Sequence, residues 1–177
     1  MIENERDTRH QRVVDAARQL LTAARTAPKA KGCDLLECAL IEGDDLQRVS
    51  DYLRRMGEEL DRPGMLRDAA NILQGECIIV VGCPIRPMGL NCGHCGFLCA
   101  TKPAEVPCAF NMIDLGIAIG SACAQAADLR LDTRVMYSAG IAAQRMGILP
   151  GCVGVQAIAV SASSKSPFFD RAVPAKK

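Results

Sequence analysis

The chain has 177 residues, 49% of them apolar, and 21 Lys and Arg against 20 Asp and Glu give a formal net charge of +1. This length and apolar content suit one globular domain with a real core, and the charge balance excludes a general electrostatic pull toward nucleic acid. Aromatic residues make up 3% and Trp is absent, so the core must be built from Ala, Ile, Leu, Val, Met and Cys.

Residues 4–25 carry Val13, Val14, Ala17, Leu20, Leu21 and Ala24 at helical steps, which predicts an amphipathic helix ended by Pro28 and Gly32. Residues 35–41 read as a strand. Asp44 or Asp45 is expected to cap a second helix, whose apolar face is Leu46, Val49, Leu53, Met56 and Leu60. Pro63 suits the first turn of a third helix, and Gly75 its end. Residues 77–82, C-I-I-V-V-G, form a continuous apolar run of the kind found in buried strands. A cysteine-rich loop, 83–108, comes next. A long helix over 110–129 follows it, rich in small residues that include Gly116, Gly120 and Ser121. Interior glycine costs a helix about 1 kcal/mol against alanine. Close approach of another helix is the expected compensation, with a planar ligand as the alternative. A strand over 133–138, a helix over 139–146 and a strand over 153–162 complete an α/β or α+β order, a central sheet flanked by helices. The longest apolar stretch, 115–127, is too short to span a bilayer.

Ten cysteines allow a disulfide framework in an exported chain. The opening M-I-E-N-E-R-D-T-R-H carries no apolar run, so the expectation is no export, a cytoplasmic setting and reduced thiols. Four thiols crowd together: Cys92, Cys95, Cys99 and Cys108, spaced C-x2-C-x3-C-x8-C. The first pair can grip one metal from a turn that Gly93 and Gly96 allow to bend, and the other two can close a four-thiolate cage. An iron–sulfur cluster of the [4Fe–4S] type is the leading reading. Structural zinc accepts the same ligands, and plain buried thiols are the third reading. Cys83 is a substitute ligand should Cys108 point elsewhere. Cys33, Cys38, Cys77, Cys123 and Cys152 lie in or beside apolar segments and read as core residues. His94, between two candidate ligands, reads as a turn residue facing solvent. Nothing outside the cysteines is distinctive enough to be called an acid, base or nucleophile, so no catalytic residue is assigned.

N-C-G-H-C-G-F-L-C, then C-A-F-N-M-I-D-L-G-I-A-I-G-S-A, together with A-R-T-A-P-K-A-K-G-C-D, resembles the prokaryotic ferredoxin-domain-containing proteins. The outer segments, A-A-R-T-A-P-K-A-K-G before a strand and R-L-D-T-R-V-M-Y-S through S-P-F-F-D-R, resemble nitroreductase-like flavoproteins. That resemblance implies a nitroreductase-like fold over residues 1–177, with the cysteine loop inserted in it. It also implies FMN at a homodimer interface and electrons from a reduced nicotinamide or a redox partner protein. By the same resemblance Thr26, Pro28 and Lys29 lie near a flavin and Arg171 near its phosphate. The R-R-S-x-R segment that grips the phosphate in such proteins has no counterpart before the first helix. Arg9 and Arg12 stand there in another context, and Lys29 replaces the usual Ser. With a flavin, the protein reads as a small flavin-dependent oxidoreductase; without one, as an electron carrier. The rival is a non-enzymatic, zinc-stabilised domain that serves a protein partner.

Overall fold

The computed structural model describes residues 1–169. Helix α1 (Glu5–Thr26) leads through a 3-10 turn (Ala30–Gly32) to strand β1 (Glu37–Ile41). Helices α2 (Gly43–Glu59) and α3 (Pro63–Ile72) precede strand β2 (Cys77–Pro84), and the cysteine loop separates β2 from helix α4 (Ala109–Asp128). Strand β3 (Asp132–Met136), helix α5 (Tyr137–Arg145) and strand β4 (Cys152–Ser161) follow. The sheet runs β1-β2-β4-β3 and every pairing is antiparallel, so the fold is α+β.

Period-two alternation in β2 builds the three layers. Ile78 and Val80 face α2, α3 and α5, while Cys77, Ile79, Val81 and Cys83 face α1 and α4. All four of Ile78, Ile79, Val80 and Val81 are fully buried. Each such side chain contributes about 1.5–3 kcal/mol on leaving water. The apolar run therefore belongs to a central strand covered on both sides.

Several local expectations change in the structure. Neither Asp44 nor Asp45 caps α2: Glu42 stands at the N-cap, and both aspartates lie in the first turn, facing the helix's positive end. Cys33 is exposed, unlike the buried Cys77 and Cys152. The small residues of α4 have two explanations. Ala118, Ala122 and Ala126 are buried against α1, as close helix packing requires. Gly116 and Gly120 are not part of that contact, because a Cβ at either would meet nothing within 4 Å. They lie on the outer face of α4 beside the exposed Ile113 and Ile117.

Helix α5 lies directly on β4 at Gly140. A Cβ there would stand 2.7 Å from the Gln156 Cα and 2.8 Å from the Val155 carbonyl carbon, and closer still to the Val155 oxygen. Backbone cannot yield as a side chain can. Gly140→Ala is expected to cost about 3 kcal/mol or more, measured by denaturant unfolding; an unchanged midpoint would contradict this packing.

His10 ties α1 to the two ends of the β1–β2 connection, Glu42 after β1 and Glu76 before β2. Nδ1 lies 2.9 Å from Glu76 Oε2 and Nε2 lies 3.3 Å from Glu42 Oε2, with Arg18 3.6 Å from the other Glu42 oxygen. The hydrogen bond with Glu76 raises the imidazole pKa above its ordinary value, and Glu42 adds to it. A raised pKa stabilises the fold fully below the unfolded value of about 6.5 and is lost as pH rises through the folded value. His10→Gln should therefore lower Tm more at about pH 5.5 than at about pH 8.5; equal losses at the two pH values would count against the bridge.

Candidate metal centre

The cysteine loop leaves β2 at Pro84 and enters α4 at Cys108. Its first turn is set by backbone that needs glycine: Gly93 and Gly96 have φ of +72° and +86°, and the Gly96 N–H donates to the Gly93 carbonyl at 2.8 Å. Cys92 on this turn is exposed, and Cys95 and Cys99 are partly exposed. The Asn91 N–H donates to Cys99 Sγ at 3.3 Å, and Asn91 Oδ1 accepts from the Cys99 N–H at 3.0 Å. His94 is not merely a solvent-facing turn residue. Its ring stacks on Phe110 in the first turn of α4, with centroids 5.6 Å apart and planes 13° from parallel.

Cys108 is the N-cap residue of α4 and is buried. Burial pushes its thiol pKa up. The N–H groups of Met88, Asn111 and Phe110 and the charge of Lys102 push it down, and the net result lies below the ordinary thiol value. This is a seat for a thiolate. Cys83 is built the other way. It is fully buried on β2, its Sγ donates to the Val153 carbonyl at 3.5 Å, and burial first, then Cys152, pushes its pKa up to about 11. A thiol kept protonated is a poor metal ligand, which favours Cys108 as the fourth member of the set.

Among the described residues, no three Cys, His, Asp or Glu side chains converge as a metal requires. The four thiols share one loop and one helix terminus without being drawn onto a common centre. Their chemistry fits thiolate-bound metal nevertheless. Cys99 and Cys108 both receive backbone N–H groups, an arrangement that suits metal-bound sulfur.

Two polar residues of α4 that the sequence pattern did not single out fasten this region. Asn111 Nδ2 donates to the carbonyls of Pro84 (3.1 Å) and Arg86 (2.6 Å), pinning the start of the loop, while its buried Oδ1 has no partner among the described residues. Asp114 accepts the Ala30 N–H at 3.0 and 3.2 Å, pinning the turn that follows α1. Lys31 reaches the Met88 carbonyl at 3.5 Å, joining that turn to the loop. The available signal was a buried polar pair, i and i+3, inside an apolar helix run.

Of the residues assigned to a flavin by resemblance, Thr26 and Pro28 are exposed. Thr26 lines a groove of about 470 Å³ between α1 and α4 with Ser121 and Ala124. Lys29 turns inward. Its side chain is 3% exposed, and Nζ donates to the carbonyls of Ala24 (3.1 Å), Arg25 (2.6 Å) and Ala27 (2.8 Å), with Asp34 at 3.8 Å. The ammonium thus closes the end of α1 with its three donors engaged. Arg171 lies outside the described residues.

This architecture, a four-stranded antiparallel sheet between a two-helix and a three-helix layer, has the nitroreductase-like fold. It is similar to a nitroreductase with bound FMN from Desulfitobacterium hafniense, at TM-score 0.57 and 13% identity, covering 85% of this chain and 78% of that one. A BluB-like flavoprotein from Clostridium difficile 630 gives TM-score 0.56 at 17% identity, covering 92% and 84%. Nitroreductase CinD from Lactococcus lactis gives 0.62 at 11%, covering 93% and 81%. An uncharacterized protein of Archaeoglobus fulgidus is 38% identical over 183 aligned positions, 97% of this chain and 98% of its own. Residues 104–171 match the family described as "Uncharacterized protein containing a ferredoxin domain (DUF2148)", and the chain belongs to that family. The match takes in Cys108 and begins after the other three candidate ligands.

Removing the Lys29 ammonium leaves three carbonyls at the α1 terminus without their donor. Lys29→Met should cost about 2 kcal/mol of stability, read by thermal or urea unfolding. No change would argue that the ammonium serves a ligand instead.

Proposed function

We propose that this protein is a one-electron redox protein in which Cys92, Cys95, Cys99 and Cys108 hold an iron–sulfur cluster, of the [4Fe–4S] type, on a nitroreductase-like scaffold. The observation that carries the reading is Cys108: a buried thiol at a helix N-terminus, held below its ordinary pKa by three backbone N–H groups and Lys102 despite its burial. A cluster bound by such thiolates supplies one-electron transfer. The chain's own part is to present sulfur as thiolate, to donate N–H groups to it, and to keep the loop near the surface, where Cys92 is exposed. The ferredoxin-domain family and the flavoprotein fold support a redox role.

The outer face of α4 favours a second copy of the chain. Ile113 and Ile117 are 47% and 41% exposed, and Gly116 and Gly120 leave the helix backbone bare between and beyond them. Thr26 lines its groove with Ala124, one turn beyond Gly120. Homodimerisation over this face would give a flavin the wall that one chain lacks. The bound FMN of the Desulfitobacterium hafniense protein supports that seat by likeness of fold. A bound flavin supplies exchange between two-electron and one-electron chemistry, and with it the protein would act as an oxidoreductase drawing on a reduced nicotinamide.

Anaerobically purified protein should be brown and contain iron with acid-labile sulfide, and both should fall sharply in Cys99→Ser and Cys108→Ser. A colourless protein carrying zinc would sink the cluster reading in favour of a structural metal site. Flavin released on denaturation, quantified on the same sample, separates oxidoreductase from carrier.

A further inference from the structure

We propose that Asn91 is a positioning residue that fixes Cys99 in register with Cys92 before any metal arrives; this rests on the ligand assignment above. The two residues form a reciprocal pair. The Asn91 N–H donates to Cys99 Sγ (3.3 Å), and the Cys99 N–H donates to Asn91 Oδ1 (3.0 Å). Asn91 adopts φ +50°, a conformation that asparagine tolerates better than most residues. The left-handed backbone lets its N–H and its side chain address the same partner.

The pair closes the segment 91–99 on itself, with Cys92 next to one end and Cys99 at the other. Closing such a segment costs chain entropy, and a segment already closed spares that cost when a ligand binds. The N–H that reaches Cys99 also becomes a stronger bond once the sulfur is a thiolate. The His94–Phe110 stack sets the same segment against the first turn of α4, two residues past Cys108. The core does not need the Asn91 pair. Asn91, Phe97 and Leu98 are exposed, and no side chain of residues 91–99 is buried. An exposed hydrogen-bonded pair contributes little to global stability, so its effect falls on the sulfur it holds.

The test uses Asn91→Gly, which keeps the positive φ and removes the acceptor, and Asn91→Asp, which keeps both. In metal-free protein, alkylation is followed at each cysteine by peptide mass spectrometry. Cys99 should react about fivefold faster in N91G, with N91D close to the parent and the exposed Cys33 and buried Cys77 unchanged in both. Equal Cys99 rates in parent and N91G overturn the proposal. Faster labelling of Cys77 in N91G overturns it too, because the effect would then be global. Titration with Co(II) alone, read by thiolate charge-transfer bands, should show about fivefold weaker binding in N91G and recovery in N91D. Absence of those bands in the parent defeats the ligand assignment, and the alkylation rates still decide the role of Asn91.

Discussion

The amino end of α4 is the joint on which the site depends. A buried polar group must find a partner or lose stability, and the Asn111 amide nitrogen and the Asp114 carboxylate find theirs on two other segments: the exit of β2 and the turn after α1. The same helix terminus offers its free N–H groups to Cys108. One end of one helix therefore fixes where the loop begins, where it ends and where the basic turn sits. Lys31, reaching from that turn to Met88, closes the circuit, since Met88 itself donates to Cys108.

The core holds that joint in place without taking part in its chemistry. Apolar alternation in β2 and β4 sorts the helices onto two faces, and α4 packs on α1 through alanines that let the pair approach closely. At the register shift between Val81 and Cys83 the strand needs glycine. A Cβ at Gly82 would stand 2.9 Å from both Cys152 Cβ and Val155 Cγ2, so only glycine fits where β2 turns toward the loop. The loop then runs outside the core. Its shape comes from glycine turns, the Asn91 pair and one aromatic stack, all local and mostly exposed. A rigid scaffold carrying an adaptable loop is a common division of labour between stability and function.

Much of the fold was legible because its signals are local. The helical face of Val13, Val14, Ala17, Leu20 and Ala24, Pro63 at the start of α3 and the apolar run of β2 each need only their neighbours in sequence. Boundaries moved by one or two residues, as caps and fraying allow. The aspartates of α2 misled because both first-turn and cap positions favour acidic side chains near a helix's positive end. Gly116 and Gly120 misled more deeply. Small residues permit close approach, yet in the folded chain nothing lies within 4 Å of a Cβ at either position.

The spacing of Cys92, Cys95, Cys99 and Cys108, and the thiolate chemistry it allows, are properties of the sequence alone, since residue type and short-range distance suffice to define a ligand set. Which of ten chemically identical thiols has its pKa lowered and which has it raised was decided only by tertiary structure. Cys108 and Cys83 bracket the same loop, yet one meets a helix terminus and the other a carbonyl in the core. Lys29 followed the same rule. Its charge is written in the sequence, but its use as a helix clasp follows from the carbonyls that the folded α1 turns toward it.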